Sequence, residues 1–198
     1  MRKVNISVYK LNELSKDVQK RVIERYQDEL AGFLDANLEN IMKGELNNCT
    51  NNLDFRLDYS LNPCQGDGVS FDGTVKDKNE LLTLALLVYN DRVPNNILRL
   101  IKHEVIYSVE FVRSNSYYVH KYTVTPTIID NNIGDGYCHI RRAIAAFEKA
   151  INAWYLQTCD NLEKIGYDTI ENMYSEDTIK SYIASNEFEF FIDGRDFL

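Results

Sequence analysis

Ile140, Ile144, Phe147, Ile151, Trp154, Thr158 and Ile165 recur at three- and four-residue intervals. That spacing predicts one helix of roughly 26 residues, about 40 Å long at 1.5 Å per residue. Such a helix is the spine on which the rest of the chain has to pack. A single domain over residues 1–198 is expected, because a chain of this length removes about 70% of its unfolded surface from water and needs no disulfide or structural metal to be stable. No apolar run reaches the roughly 18 to 20 residues that span a bilayer. The opening MRKVNISVYK has no hydrophobic signal core, so the expected location is the cytoplasm, with no membrane partner.

The remaining elements follow from periodicity. Val4, Ile6 and Val8 alternate with polar residues as a first strand would. Ser15 suits an N-cap, and Val18, Val22, Tyr26 and Leu30 carry the apolar stripe of a helix that is expected to stop at Gly44 and to bend or split at Gly32. Leu53, Phe55, Leu57, Tyr59 and Leu61 alternate with Asp54, Arg56, Asp58 and Ser60, and the NPCQGDG loop then turns the chain into a second strand through Val69, Phe71 and Gly73. Helices are expected over 79–90 and from Pro94 to Ile101. Two strands, 105–113 and 117–129, are expected to be joined at Ser114-Asn115-Ser116, with Pro126 marking an edge. Ser175 caps a last helix, and 187–194 closes the chain as a strand. Without regular βαβ alternation, this pattern predicts an α+β fold, an antiparallel sheet packed against several helices, one of them long and in the C-terminal half.

Charge is uneven. From Asp160 to Leu198 there are ten acids against Lys164, Lys180 and Arg195, whereas the preceding residues hold 20 acids and 19 bases, out of a formal net charge of −8. An acidic end repels nucleic-acid phosphates, so direct duplex binding through it is not expected, and it attracts basic protein surfaces in a salt-dependent way. The residues expected to make that contact are Glu176, Asp177, Glu187, Glu189, Asp193 and Asp196, with Phe188, Phe190, Phe191 and Phe197 as possible aromatic anchors, half of them core by alternation. The same acidity also serves solubility alone.

Three segments stand out together: VYKLNELSKDVQKRVIERY, DYSLNPCQGDGVSFDG and IASNEFEFFIDGRDF. They resemble a family of small proteins encoded by phages and other mobile elements, with an ELS-type helix start, a CQGDGxSF hairpin and a final ANxxxFxxDG strand. Some proteins of this appearance are carried beside, or act as, anti-CRISPR inhibitors of type II effector nucleases. The resemblance implies a counter-defence protein of the bacterial host's cytoplasm, without cofactor, whose partner is a CRISPR effector nuclease or its guide-RNA complex. The GDG of Gly134–Gly136 and the stretch from Tyr117 to Ile129 fall outside the pattern.

Other chemistry has to be weighed beside this. The motif loop Gln65, Gly66, Asp67 and Gly68 offers backbone approach and a carboxylate, but a hairpin turn needs the same residues, and the lysine and hydroxyl of a P-loop are missing. Cys49, Cys64, Cys138 and Cys159 form no CxxC pair and read as reduced thiols. A metal held by Cys64, Cys138 and His139 needs two loops to converge; Asp58, Asp67 and Asp72 flank one hairpin and could hold a divalent cation for phosphodiester cleavage, but their alternation with apolar residues fits a solvated sheet face better, and no metal is expected. His103, His120 and His139 are the only imidazoles. In YYVHKYTV, His120 would share a strand face with Tyr118 and Tyr122, with Lys121 on the other. That makes His120, with Asp67, the candidate pair for the alternative function, a ribonuclease that trims guide RNA.

Overall fold

The computed structural model describes residues 6–61, 67–131 and 137–197, with 31–34 as backbone only. It has the α+β architecture expected: helices α1 (Lys16–Thr50), α2 (Lys78–Tyr89), α3 (Asn95–Lys102), α4 (Cys138–Met173) and α5 (Glu176–Ser185), with strands β1 (Phe55–Ser60), β2 (Gly68–Val75), β3 (Ile106–Arg113), β4 (Val124–Asp130), β5 (Glu189–Phe190) and β6 (Asp196–Phe197). The chain divides into two compact units, residues 1–40 with 167–198, and residues 41–166. Helices α1 and α4 contribute to both.

In the first unit Leu11, Leu14, Val18, Val22, Ile23, Tyr26, Ile179, Ile183 and Phe190 form a buried cluster. Ser175 caps α5 as expected, accepting from the Thr178 amide. The closing segment is a hairpin, β5 against β6, rather than one strand. Its turn needs Gly194: φ is +89°, and a Cβ there would sit 2.8 Å from Val18 Cγ1 and 2.9 Å from Val22 Cγ2. The first expected strand reduces to a single antiparallel bridge, Tyr9 to Phe190, made by two 2.9 Å backbone bonds; residues 1–5 lie outside the described ones.

The second unit holds an antiparallel sheet in the order β1-β2-β3-β4. Its inner face meets α4 through an aromatic centre in which the Phe71 ring lies 4.6 Å from Tyr155 and 5.0 Å from Phe55, and Phe111 lies 5.0 Å from Phe55. Pro126 is on the edge strand β4, opposite Phe111, where no further strand requires its missing amide. Asp77 caps α2, accepting from Asn79 at 2.7 Å, with Glu80 reaching back to its amide.

Four boundaries differ from the sequence reading. Helix α1 is continuous past Gly32 and Gly44 to Thr50, because Met42 and Leu46 bury one face and Asn51 and Asn52, both left-handed, end it. Helix α4 has 36 residues, longer than the apolar stripe alone indicates. Residues 117–123 are not strand. They form a loop ending in a 3-10 turn, closed by the Ser114 amide donating to the Thr123 carbonyl at 2.7 Å, so β4 starts only at Val124. Of residues 45–52, expected as a turn, 45–50 are helix.

Candidate functional site

The six carboxylates expected to meet a basic partner lie in the first unit, and four of them hold basic residues of their own chain. Glu176 pairs with Lys180 one turn along α5, Glu189 with Lys10 at 3.3 Å, Asp193 with Arg195 at 2.8 Å, and Asp196 with Arg25 at 2.7 Å. Asp196 also accepts from the Tyr26 hydroxyl at 3.0 Å. The Arg195 backbone amide, with its guanidinium, holds the Asp193 carboxyl below the usual carboxylate range, and the bond from Glu176 raises the Lys180 ammonium. Asp177 and Glu187 are exposed; Asp177 adds to the field that raises Lys180 without bonding it. Of the phenylalanines, Phe190 is fully buried, Phe188 packs against the core, and Phe197 is exposed, which agrees with alternation.

Beside these groups is a groove of about 720 Å³, with Leu11, Ile183, Ala184 and Phe188 as its apolar wall and Lys10, Lys180 and Glu187 at its polar edge. The unit as a whole carries 15 acids and 9 bases, a net −6, against −2 for the second unit.

In the second unit one of the two candidate catalytic residues, His120, meets a carboxylate that sequence spacing did not reveal, at the glycine that follows the other candidate, Asp67. A Cβ on Gly68 would stand 3.4 Å from His120 Cδ2 and 3.4 Å from Glu163 Oε2, so imidazole and carboxylate flank the same point beside Asp67. Asp67 accepts from the Ser60 hydroxyl at 2.8 Å. His120 Nδ1 accepts from the Tyr122 amide at 3.3 Å, which leaves the ring proton on Nε2, next to Cδ2. The His120 and Tyr122 rings lie 4.9 Å apart. Lys121, expected to point away from this face, pairs with Asp160 on α4, which raises its ammonium, and stands 5.4 Å over the Tyr122 ring. Glu163 lies 43 positions from His120, too far for any spacing rule to have paired them.

Gln65 and Gly66 lie outside the described residues, as do Cys64 and Gly134–Gly136, so the proposed convergence of those loops lies outside them too. Cys49, Cys138 and Cys159 are free thiols; burial pushes Cys159 up to about 12. Asp58 and Asp72 are taken up by arginines: Arg113 lies 2.8 Å from Asp58 and Arg56 3.0 Å from Asp72, while Arg113 also donates to Ser70 at 2.6 Å. Among the described residues no three His, Cys, Asp or Glu side chains are grouped to hold a metal ion, and no helix is long and apolar enough to cross a membrane.

Comparison with protein-family models, with curated proteins and with solved structures finds no match to this chain.

Proposed function

We propose that this chain is an anti-CRISPR-like counter-defence protein that binds a type II effector nuclease, or its guide-RNA complex, and obstructs a basic nucleic-acid-binding surface with its acidic first unit. The observation that carries the reading is the excess of six acids on that unit. Internal pairing redistributes charge at close range, but it does not change the net charge that steers a cationic partner from a distance. The pairs that form are exposed ones, each worth about 0–1 kcal/mol, so a partner's arginine displaces Lys10 or Lys180 at little cost. Asp196, bound by both Arg25 and Tyr26, is the least exchangeable of the six.

The test is co-purification with a candidate type II effector, with and without guide RNA, across ionic strength, with the recovered RNA run on a gel. A stable complex that weakens steeply with salt and leaves the RNA intact is expected. No complex at low salt overturns the reading.

One observation favours a second reading, RNA cleavage at Gly68, where imidazole and carboxylate flank the same point. With RNA bound there, Glu163 would take the proton of a 2′-hydroxyl. The 2′-oxygen would then bond to phosphorus as the P–O5′ bond breaks, and His120, entering the step as imidazolium, would give its Nε2 proton to the leaving oxygen and end as neutral imidazole, giving a cyclic phosphate and a 5′-hydroxyl. Shortened RNA on the same gel, abolished by both His120→Ala and Glu163→Gln, would select this reading.

A further inference from the structure

We infer that the loop of residues 114–123 is a preformed aromatic clamp for arginine side chains of a basic protein partner. This deepens the reading just proposed and rests on its partner being cationic. Tyr117 is 97% exposed, Tyr118 57% and Tyr122 71%, three large rings held in water within six residues. Apolar surface collected in this way on a folded domain marks an interaction site, and tyrosine is the residue most often used for one, since it brings a large contact area with few rotors to order.

The loop is tied down rather than loose. The Thr123 amide and hydroxyl both donate to the His120 carbonyl, at 2.8 and 2.6 Å. The Tyr118 amide donates to the Ser116 hydroxyl at 3.2 Å, and the Tyr122 amide to His120 Nδ1. A partner therefore meets rings whose backbone is already fixed, which lowers the ordering cost of binding.

The choice of arginine comes from the charges around the rings. The face of Tyr122 already receives a cation, the Lys121 ammonium, which is itself held by Asp160. Glu163 lies with His120 against the same point at Gly68, and the His120 ring touches Tyr122. Arg113, at the base of the loop, is occupied by Asp58 and Ser70. Among the described residues, both Asp160 and Glu163 act on the one Lys121 ammonium, a balance that disfavours phosphates and so disfavours RNA stacked on the same rings. A guanidinium fits both features, since it is planar, stacks on an aromatic face and bridges to carboxylate oxygens, whereas an ammonium is compact and more strongly hydrated.

The test uses the full chain with three probes: an arginine-rich peptide, a lysine-rich peptide of equal length and charge, and single-stranded oligouridylate RNA. The arginine peptide is expected to bind about tenfold more tightly than the lysine peptide. Joint substitution of Tyr117→Ala, Tyr118→Ala and Tyr122→Ala should abolish that preference while leaving lysine-peptide binding and the melting temperature unchanged, and the three Tyr→Phe substitutions should retain it. Equal affinity of the unsubstituted protein for the two peptides, a preference that survives the alanine substitutions, or tighter binding of the RNA than of the arginine peptide overturns the inference. Equal affinities that fall with salt would leave the acidic unit's role standing and remove only the clamp. Loss of all salt-dependent peptide binding would remove the acidic reading as well.

Discussion

Tyr26 is 6% exposed, and its phenol donates to Asp196. Burial first, and then the bond to that carboxylate, push the phenol up to about 12 from an ordinary 10.0. A proton held more tightly in the folded state than in the unfolded one stabilises the fold fully below about pH 10, and that stabilisation is lost as pH rises through about 12. Tyr26→Phe should therefore cost about 1 kcal/mol near neutrality, for the lost hydrogen bond. The difference should shrink and then change sign between about pH 10 and about pH 12, where the parent must ionise a buried ring and the variant has nothing to ionise. Urea midpoints of both proteins measured across that interval decide the matter, and curves that stay parallel count against it. Residue-scale chemistry was legible only where the chain is sparse: His120 is one of three histidines, so it had to be considered. Its neighbour Glu163 is one carboxylate of 30, and only the packing of α4 on the sheet distinguishes it.

Two glycines in regular elements have opposite structural reasons. Gly73 in β2 lies against the start of β1, where a Cβ would come 2.9 Å from the Asp54 carbonyl oxygen and 2.9 Å from Phe55 Cδ1. The backbone oxygen cannot rotate away, so Gly73→Ala has to part the β1–β2 pair, at about 1–3 kcal/mol. Gly44 in α1 has no atom within 4 Å of its would-be Cβ. Gly44→Ala adds only helix propensity there, stabilising by about 0.5–1 kcal/mol. Thermal melting should show the first variant roughly 2–12 °C below the parent and the second slightly above it; shifts of the same sign in both would refute the argument. The pair also shows what was readable at this scale. Period-two alternation located β1 and β2, and the three- and four-residue repeat located α4. The glycine rule failed at Gly44, where burial of Met42 and Leu46 on either side outweighs a cost of about 1 kcal/mol. The strand reading failed over 117–123, where tyrosine and valine have β propensity but Thr123 and His120 close a loop instead.

For the whole molecule, what a distant partner senses is the net charge of −8, most of it on the first unit, whereas a docked partner senses individual carboxylates. These two effects separate by substitution. Asp177→Asn with Glu187→Gln removes two exposed charges that bond no basic side chain among the described residues. Asp193→Asn with Asp196→Asn removes two that do, the partners of Arg195 and Arg25, of which Arg25 keeps Glu29. Both changes reduce the net charge equally, so at low salt both should slow association with a lysine-rich peptide by a similar factor, and that difference should fade as the Debye length shortens to about 8 Å at physiological ionic strength. Dissociation should separate them. Removal of Asp177 and Glu187 takes away carboxylates that meet a partner's cations without first giving up one of their own, and it should speed release about threefold to tenfold, while the paired substitution should change release less than twofold. Stopped-flow measurement of both rates over a range of salt reads each quantity separately. If the two double variants release the peptide equally fast, the acidic unit acts as a diffuse field, and no particular carboxylate on it defines the contact.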